Sequence, residues 1–209
     1  MSNTELQLQK IYGSLRLFTQ IVAMTTASAR IRIMSAMSVD GFIATQDGGV
    51  AWLDQFNSVD TGYDDFLKQI HTVVMGRTTY QQVCGFDCPW PYATKKTVVL
   101  STKNLTDLPT EQTTCCSGDV RDLVDDLRKA ATTGDIWLVG GRMVTQAFLD
   151  VRLVDEIELF MMPVLLNRGI RMFEPTVSTP TDFANLKLKE RKTFPNGVVK
   201  LVYNKAEGS

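Results

Sequence analysis

From Arg30 onward the chain alternates short apolar runs with segments whose apolar residues recur every three or four positions. The runs IRIMSAM (31–37), TVVMG (72–76), TVVLS (97–101), IWLVG (136–140) and EIELFMMPVLL (156–166) predict strands. YDDFLKQI (63–70), with Phe66, Leu67 and Ile70 on one face, predicts a helix, and RMVTQAFLD (142–150) predicts another. The clearest helical segment is DVRDLVDDLRKAATTG (119–134). An Asp opens it, Leu123, Val124 and Leu127 share a face, Arg128 and Lys129 come late, and Gly134 is its expected stop. Near the end, LKLKERKTFPNGVVKLVYNK alternates around Pro195, Asn196 and Gly197, as an antiparallel hairpin does. The order predicts an α/β domain whose mixed, mostly parallel sheet carries helices on both faces and finishes in an antiparallel hairpin. Ligands of such sheets bind outside the carboxyl ends of the strands.

A chain of 209 residues supports one domain with a sizeable core. Lys plus Arg number 22 against 23 Asp plus Glu, so no global field draws the protein to nucleic acid or to an anionic membrane. Any phosphate ligand then needs a local site. Cys84, Cys88, Cys115 and Cys116 match no zinc spacing and read as thiols, some of them buried. With His71 the single histidine, no metal site is expected, and His71 itself reads as a capping or surface residue. Residues 1–30 stand apart from the domain at 31–204 and the tail at 205–209. Three readings of this extension compete: a reading frame that starts too early, with Met24 or a later residue as the true start; a short packed helix; and a targeting peptide, which Glu5, Thr19 and Gln20 disfavour. The expected location is therefore the cytoplasm.

Three strand ends carry candidate chemistry. TVVMG ends in Gly76, followed by Arg77, Thr78 and Thr79; TVVLS ends in Ser101, followed by Thr102 and Lys103; IWLVG ends in Gly140, followed by Gly141, Arg142 and Met143. Glycine lets a ligand approach the backbone, a helix start offers unpaired N–H groups, and Arg presents a planar fork of donors. Each feature alone is ordinary in an α/β fold; three in this order point to the phosphates of a dinucleotide. No G-x-G-x-x-G is present, and the Gly140-Gly141 pair permits a cis or otherwise unusual peptide at that turn.

The segments SAMSVDGFIATQDGGVAWL, TVVMGRTTYQ, VVLSTK, IWLVGGRMVTQAFL and DEIELFMMPVLLNRGIRMFE resemble, in this order, the dihydrofolate reductase-like superfamily. The resemblance is to the branch that includes the C-terminal reductase domain of bacterial riboflavin biosynthesis enzymes. It implies a three-layer α/β/α fold and NADPH as hydride donor. It also implies that Gly76, Arg77, Thr78 and Thr79 form a phosphate-binding turn and that Ser101 and Thr102 lie beside the adenosine ribose and its 2′-phosphate. Gly140, Gly141, Arg142 and Met143 would hold the pyrophosphate, and Ala36 and Ile43 would line the nicotinamide pocket. Arg77 and Lys103 would favour the phosphorylated cofactor.

On the substrate side, Asp40 matches an aspartate of the riboflavin-type branch, and a turn residue before Gly41 is its ordinary alternative. Folate-reducing relatives place an acid near the start of the first helix; the corresponding position here is Gly62, with Asp60 and Asp64 nearby. Asp40 and Asp64 are thus the catalytic candidates, although Asp64 also reads as an acidic first-turn helix residue. Trp90 and Tyr92 either stack on a planar substrate or stiffen their loop. The implied activity is an NADPH-dependent reductase acting on a small heterocycle, similar to 5-amino-6-(5-phosphoribosylamino)uracil reductase. No H-x-E with P-C-x-x-C is present for a deaminase half. Dihydrofolate reductase activity and a catalytically weak NADPH-binding protein are the alternatives. The apolar segment 156–166 and the neighbouring RMF either complete a contact between the two chains of a homodimer or are buried within one subunit.

Overall fold

The computed structural model describes residues 28–106, 108–131, 133–174 and 185–206. The readings placed on residues 1–27 and on the last three residues lie outside these. Strands β1 (Ile31–Ser38), β3 (Ile70–Gly76), β4 (Lys96–Leu100), β5 (Thr113–Cys116), β6 (Asp135–Gly140), β7 (Glu156–Met162), β9 (Leu186–Thr193) and β10 (Val199–Lys205) form one sheet in the order β5-β4-β3-β6-β1-β7-β10-β9. The first six run parallel; β10 is antiparallel to β7, and β9 to β10. Strands β2 (Phe42–Ala44) and β8 (Ile170–Arg171) make a small antiparallel pair.

Alternation along the strands divides the core in two. Ile31, Ile33, Val74, Val98, Ile136, Leu138 and Ile157 face helices α3 (Val120–Ala130) and α4 (Arg142–Asp150), which contribute Val124, Leu127, Val144 and Phe148. Met34, Val73, Met75, Val99, Trp137 and Phe160 face α1 (Tyr63–Lys68) and α2 (Arg77–Cys84), which contribute Phe66, Tyr80 and Val83. A parallel sheet apolar on both faces needs cover on both, and burying each such side chain stabilises by about 1.5–3 kcal/mol. This is the expected three-layer arrangement.

Several boundaries move for physical reasons. The helix expected over 63–70 ends at Lys68, because Ile70 is already paired with Asp135 in the sheet. Asp119 caps α3 by accepting from Arg121 N at 2.8 Å, yet the helix ends at Ala130. Gly134 serves close approach instead: a Cβ there would stand 2.7 Å from Gln69 O. The strand expected over 156–166 stops at Met162, before Pro163, which has no N–H to give the ladder. It lies between β1 and β10, so both its edges are already paired within the chain. Ala29 is buried in the core and Arg30 pairs with Asp135 and Glu156, so the folded body includes both. Cys84, Cys88 and Cys115 are exposed and Cys116 half-buried, so the expectation that some thiols are buried is not met. No helix among the described residues is long and apolar enough to cross a membrane.

Candidate active site

Strands β3 and β6 are neighbours, with Met75 opposite Gly140, so the two glycine turns meet at one sheet edge. Gly76 is the N-cap of α2 and Gly141 that of α4, and neither helix start carries a side-chain cap. In α4 Val144 N already turns back to Gly141 O at 3.0 Å; the amides before it, and those at the start of α2, are left for a ligand. Gly140 has φ +128° and is joined to Gly141 by a cis peptide bond, as the sequence permits. The turns are packed to the limit: a Cβ on Gly141 would meet Thr79 Oγ1 at 3.0 Å, and one on Gly76 would meet Val144 Cγ2 at 3.2 Å. Thr78 and Thr79 occupy the first turn of α2, and Met143, in the first turn of α4, is 63% exposed.

The third strand end is tied to the first. Arg77 Nη1 donates to the carbonyls of Lys103 (3.5 Å) and Asn104 (3.3 Å). Ser101 Oγ donates to Lys103 O at 2.8 Å and accepts from Lys103 N at 3.0 Å, closing a tight turn that leaves Thr102 and the Lys103 side chain exposed. Arg142 is ion-paired with Glu174 at 2.6 Å.

A cavity of about 380 Å³ opens on the α1/α2 side of the sheet. Met34 and Ala36 of β1, Trp137 of β6 and Phe160 and Met162 of β7 form its floor. Leu53 and Phe56 of a 3-10 turn (Ala51–Phe56), with Val59 and Tyr63, form its walls. Mostly apolar walls with a few polar groups suit a planar ligand. A second cleft, of about 530 Å³ and lined by Lys68, His71, Lys95 and Lys96, lies at the opposite, amino ends of β3 and β4. There His71 Nδ1 contacts Thr72 Oγ1 at 2.7 Å, and burial, with Lys96 and Lys95 adding repulsion, pushes its pKa down.

The remaining candidates scatter. Ile43, in β2, packs against the α3/α4 core rather than lining the cavity. Asp40 accepts from the backbone N–H of Leu166 (3.1 Å) and Asn167 (2.7 Å). A hydrogen bond from Ser38 is the main cause holding its carboxyl below the usual range; burial opposes it, and the Asn167 and Leu166 N–H groups add to the fall. Asp64 is exposed in the first turn of α1, outside the cavity lining. Trp90 and Tyr92 join an aromatic cluster instead: Trp90 packs on Tyr80 and Tyr92, and Tyr92 on Trp137. Tyr63, a cavity residue, was absent from the sequence candidates. Its signal was its place beside Gly62, where folate-reducing relatives carry an acid.

The sheet order and the paired glycine turns define a dihydrofolate reductase-like fold, shared with dihydrofolate reductase from Enterococcus faecalis complexed with NADP(H) at TM-score 0.61 and 14% identity, over 86% of this chain and 98% of that one. Within that class the chain belongs to the family described as RibD C-terminal domain, which it matches over residues 29–200. It is 32% identical over 164 residues to the uncharacterized protein YwjB of Bacillus subtilis strain 168, covering 78% of this chain and 91% of that protein. It is also similar to the structure of a putative riboflavin biosynthesis protein from Shewanella sp. PV-4, with 27% identity and TM-score 0.74 over 85% of this chain and 99% of that one.

Proposed function

We propose that the protein is an NADPH-dependent reductase that transfers hydride to a small planar heterocycle held in the cavity over Ala36 and Trp137. The observation that carries this reading is the junction of Gly76 and Gly141. Two helix starts without side-chain caps meet there, and a Cβ on either glycine would press on Val144 or Thr79, so glycine is what lets the two turns come this close. The residues present fit the cofactor. Gly76, Thr78, Thr79, Gly140, Gly141 and Met143 supply backbone amides and close approach, while Ser101, Thr102 and Lys103 offer a hydroxyl-rich, cationic turn for the 2′-phosphate. Arg77 holds that turn in place through the Lys103 and Asn104 carbonyls. Arg142 lends charge at the start of α4, held by Glu174.

Bound nicotinamide would supply the hydride. The chain's own part is to hold the acceptor flat against Trp137 and Phe160, to keep water out with Leu53, Phe56 and Met162, and to deliver a proton. Asp40 acts from a distance in this reading: its carboxylate fixes the loop after β7 to the turn after β1. The family and the putative riboflavin biosynthesis relative support the reductase class. Titration with NADPH and with NADH, followed by quenching of Trp137, Trp52 and Trp90 fluorescence, tests it. Selective binding of NADPH is expected; binding of neither nucleotide overturns the reading.

A further inference from the structure

Reduction of a C=N or C=O bond by hydride leaves a negative nitrogen or oxygen that must gain a proton. Among the described residues lining the cavity there is no carboxylate; the polar ones are Ser35, Asn57, Thr61 and Tyr63. Ser35 Oγ donates back to Ala36 O at 3.3 Å, which turns its proton toward the backbone. Tyr63 differs in being held from several sides. Its ring stands edge-on to Trp137 at 6.0 Å, and the same indole is packed edge-on by Phe66 at 5.3 Å and by Tyr92 at 5.8 Å. Tyr63 and Tyr92 pack on the same Trp137 indole, and the Tyr92 hydroxyl is among the groups acting on that of Tyr63. Tyr92 is buried, whereas Tyr63 is 36% exposed and borders the cavity.

We infer that Tyr63 is the proton donor of this cavity, with Tyr92 as the residue that positions it; this rests on the reductase reading above. Tyr92 and Phe66 brace the Trp137 indole against which the Tyr63 ring stands, and this holds the Tyr63 hydroxyl at the cavity, where the bound heterocycle takes its proton. As the acceptor carbon gains hydride from the dihydronicotinamide, the Tyr63 O–H bond breaks and an N–H or O–H bond forms on the adjacent acceptor atom. The electron pair stays on the Tyr63 oxygen, and the half-exposed phenolate recovers a proton from solvent. Burial holds the Tyr63 hydroxyl above the ordinary tyrosine range, with the Tyr92 hydrogen bond opposing and Asp64 adding to the rise. Tyr92 from the loop and Asp64 from α1 are the titratable groups acting on it; β6 presents only the uncharged Trp137. The donor thus stays protonated across the neutral range. A carboxylic acid in the same role would have lost its proton there.

The experiment titrates the full chain and its Tyr63→Phe variant with three probes: NADPH, pteridine-2,4-dione, and naphthalene. The dione is a neutral planar bicycle with nitrogen and carbonyl acceptors; naphthalene fills the same walls without any acceptor. Phenylalanine keeps every ring contact, so the variant folds. Loss of the hydroxyl is expected to weaken the dione about tenfold and to leave NADPH and naphthalene within about twofold. In turnover of a reducible acceptor, the wild-type kcat stays flat from about pH 6 to 9. Tyr63→Phe lowers kcat at least about thirtyfold with little change in KM, and Tyr92→Phe lowers it less. Equal affinity of both proteins for the dione, failure of the wild type to bind it, or a rate that falls as pH rises through neutrality overturns the inference. A wild type that binds the dione but not NADPH overturns the reductase reading while leaving the Tyr63 contact in place.

Discussion

Gly76 and Gly141, from two different strand ends, stand one side chain apart: a Cβ on Gly76 would lie 3.9 Å from Gly141 N. The parallel register that sets Met75 opposite Gly140 creates this closeness, and it turns two unremarkable strand-to-helix turns into one surface of free amides. Gly141→Ala probes that surface. Its φ of −79° suits alanine, and the new methyl meets only the Thr79 hydroxyl, a side chain able to rotate. The melting temperature is expected to stay within about 4 °C of wild type, roughly the effect of 1 kcal/mol. The NADPH Kd is expected to rise at least about tenfold, because the methyl forces the Thr79 hydroxyl out of its place in the pyrophosphate turn. Wild-type affinity in this variant would place the dinucleotide elsewhere.

Arg77 and Lys103 are expected to separate when each is replaced by alanine. Lys103 presents an exposed charge, whereas Arg77 spends its guanidinium on the carbonyls of Lys103 and Asn104. Lys103→Ala then weakens NADPH about tenfold and leaves NADH unaffected, since a single charge-assisted hydrogen bond contributes about 1.5–3 kcal/mol. Arg77→Ala loosens the whole turn and weakens both nucleotides. Fluorescence titrations of the two variants with the two nucleotides distinguish these patterns.

The sheet, the helices on both faces and the closing hairpin were legible because their apolar residues repeat at the periods of buried strands and helices. Strand β5 was not: Thr113–Cys116 is an edge strand of four residues with two exposed positions, too short to show alternation. Helix α2 was hidden for another reason, since Arg-Thr-Thr at its start reads as ligand chemistry before it reads as helix. The glycine turns were legible one at a time, but their meeting depends on which strands are neighbours, which no local pattern encodes. Tyr63 is less legible, because a phenol beside Gly62 does not read as an acid and its place on the cavity wall depends on how α1 packs against Trp137.

Asp40→Asn tests whether the aspartate of the first turn positions a loop. Its carboxylate accepts two backbone N–H groups, and an amide in its place sets an NH2 against one of them. A melting temperature lower by a few degrees at pH 7 is expected. Because the folded pKa is depressed, chiefly by Ser38, the stabilisation is present above the ordinary carboxylate pKa and is lost as pH falls through the lower folded value. The gap between wild type and variant should therefore narrow as the pH is lowered from about 5 toward 3. A gap that stays constant down that range would show that the charge of Asp40 contributes nothing.

Arg32 supplies the sharpest stability test, because it is a buried cation placed beneath helix α1. Its Nε stands 2.7 Å from Glu156 and its Nη2 3.6 Å from Glu158, and its guanidinium carbon lies 4.5 Å above the Phe66 ring. Glu156 is also held by Arg30 at 3.1 Å and Lys189 at 2.6 Å. Burial pushes the Glu156 carboxyl up, yet the hydrogen bond from Lys189 and the charges of Arg32 and Arg30 hold it below its ordinary value, so acid should remove this support. Arg32→Met leaves buried carboxylates short of a partner and is expected to cost about 3 kcal/mol in urea unfolding. The double variant Arg32→Met with Glu156→Leu should recover much of that loss. Arg30 and Lys189, at 42% and 46% side-chain exposure, can return to water once their buried partner is gone. Strict additivity of the two changes would mean that Arg32 acts through its other partners, Asp135, Glu158 and the Phe66 ring, rather than through Glu156.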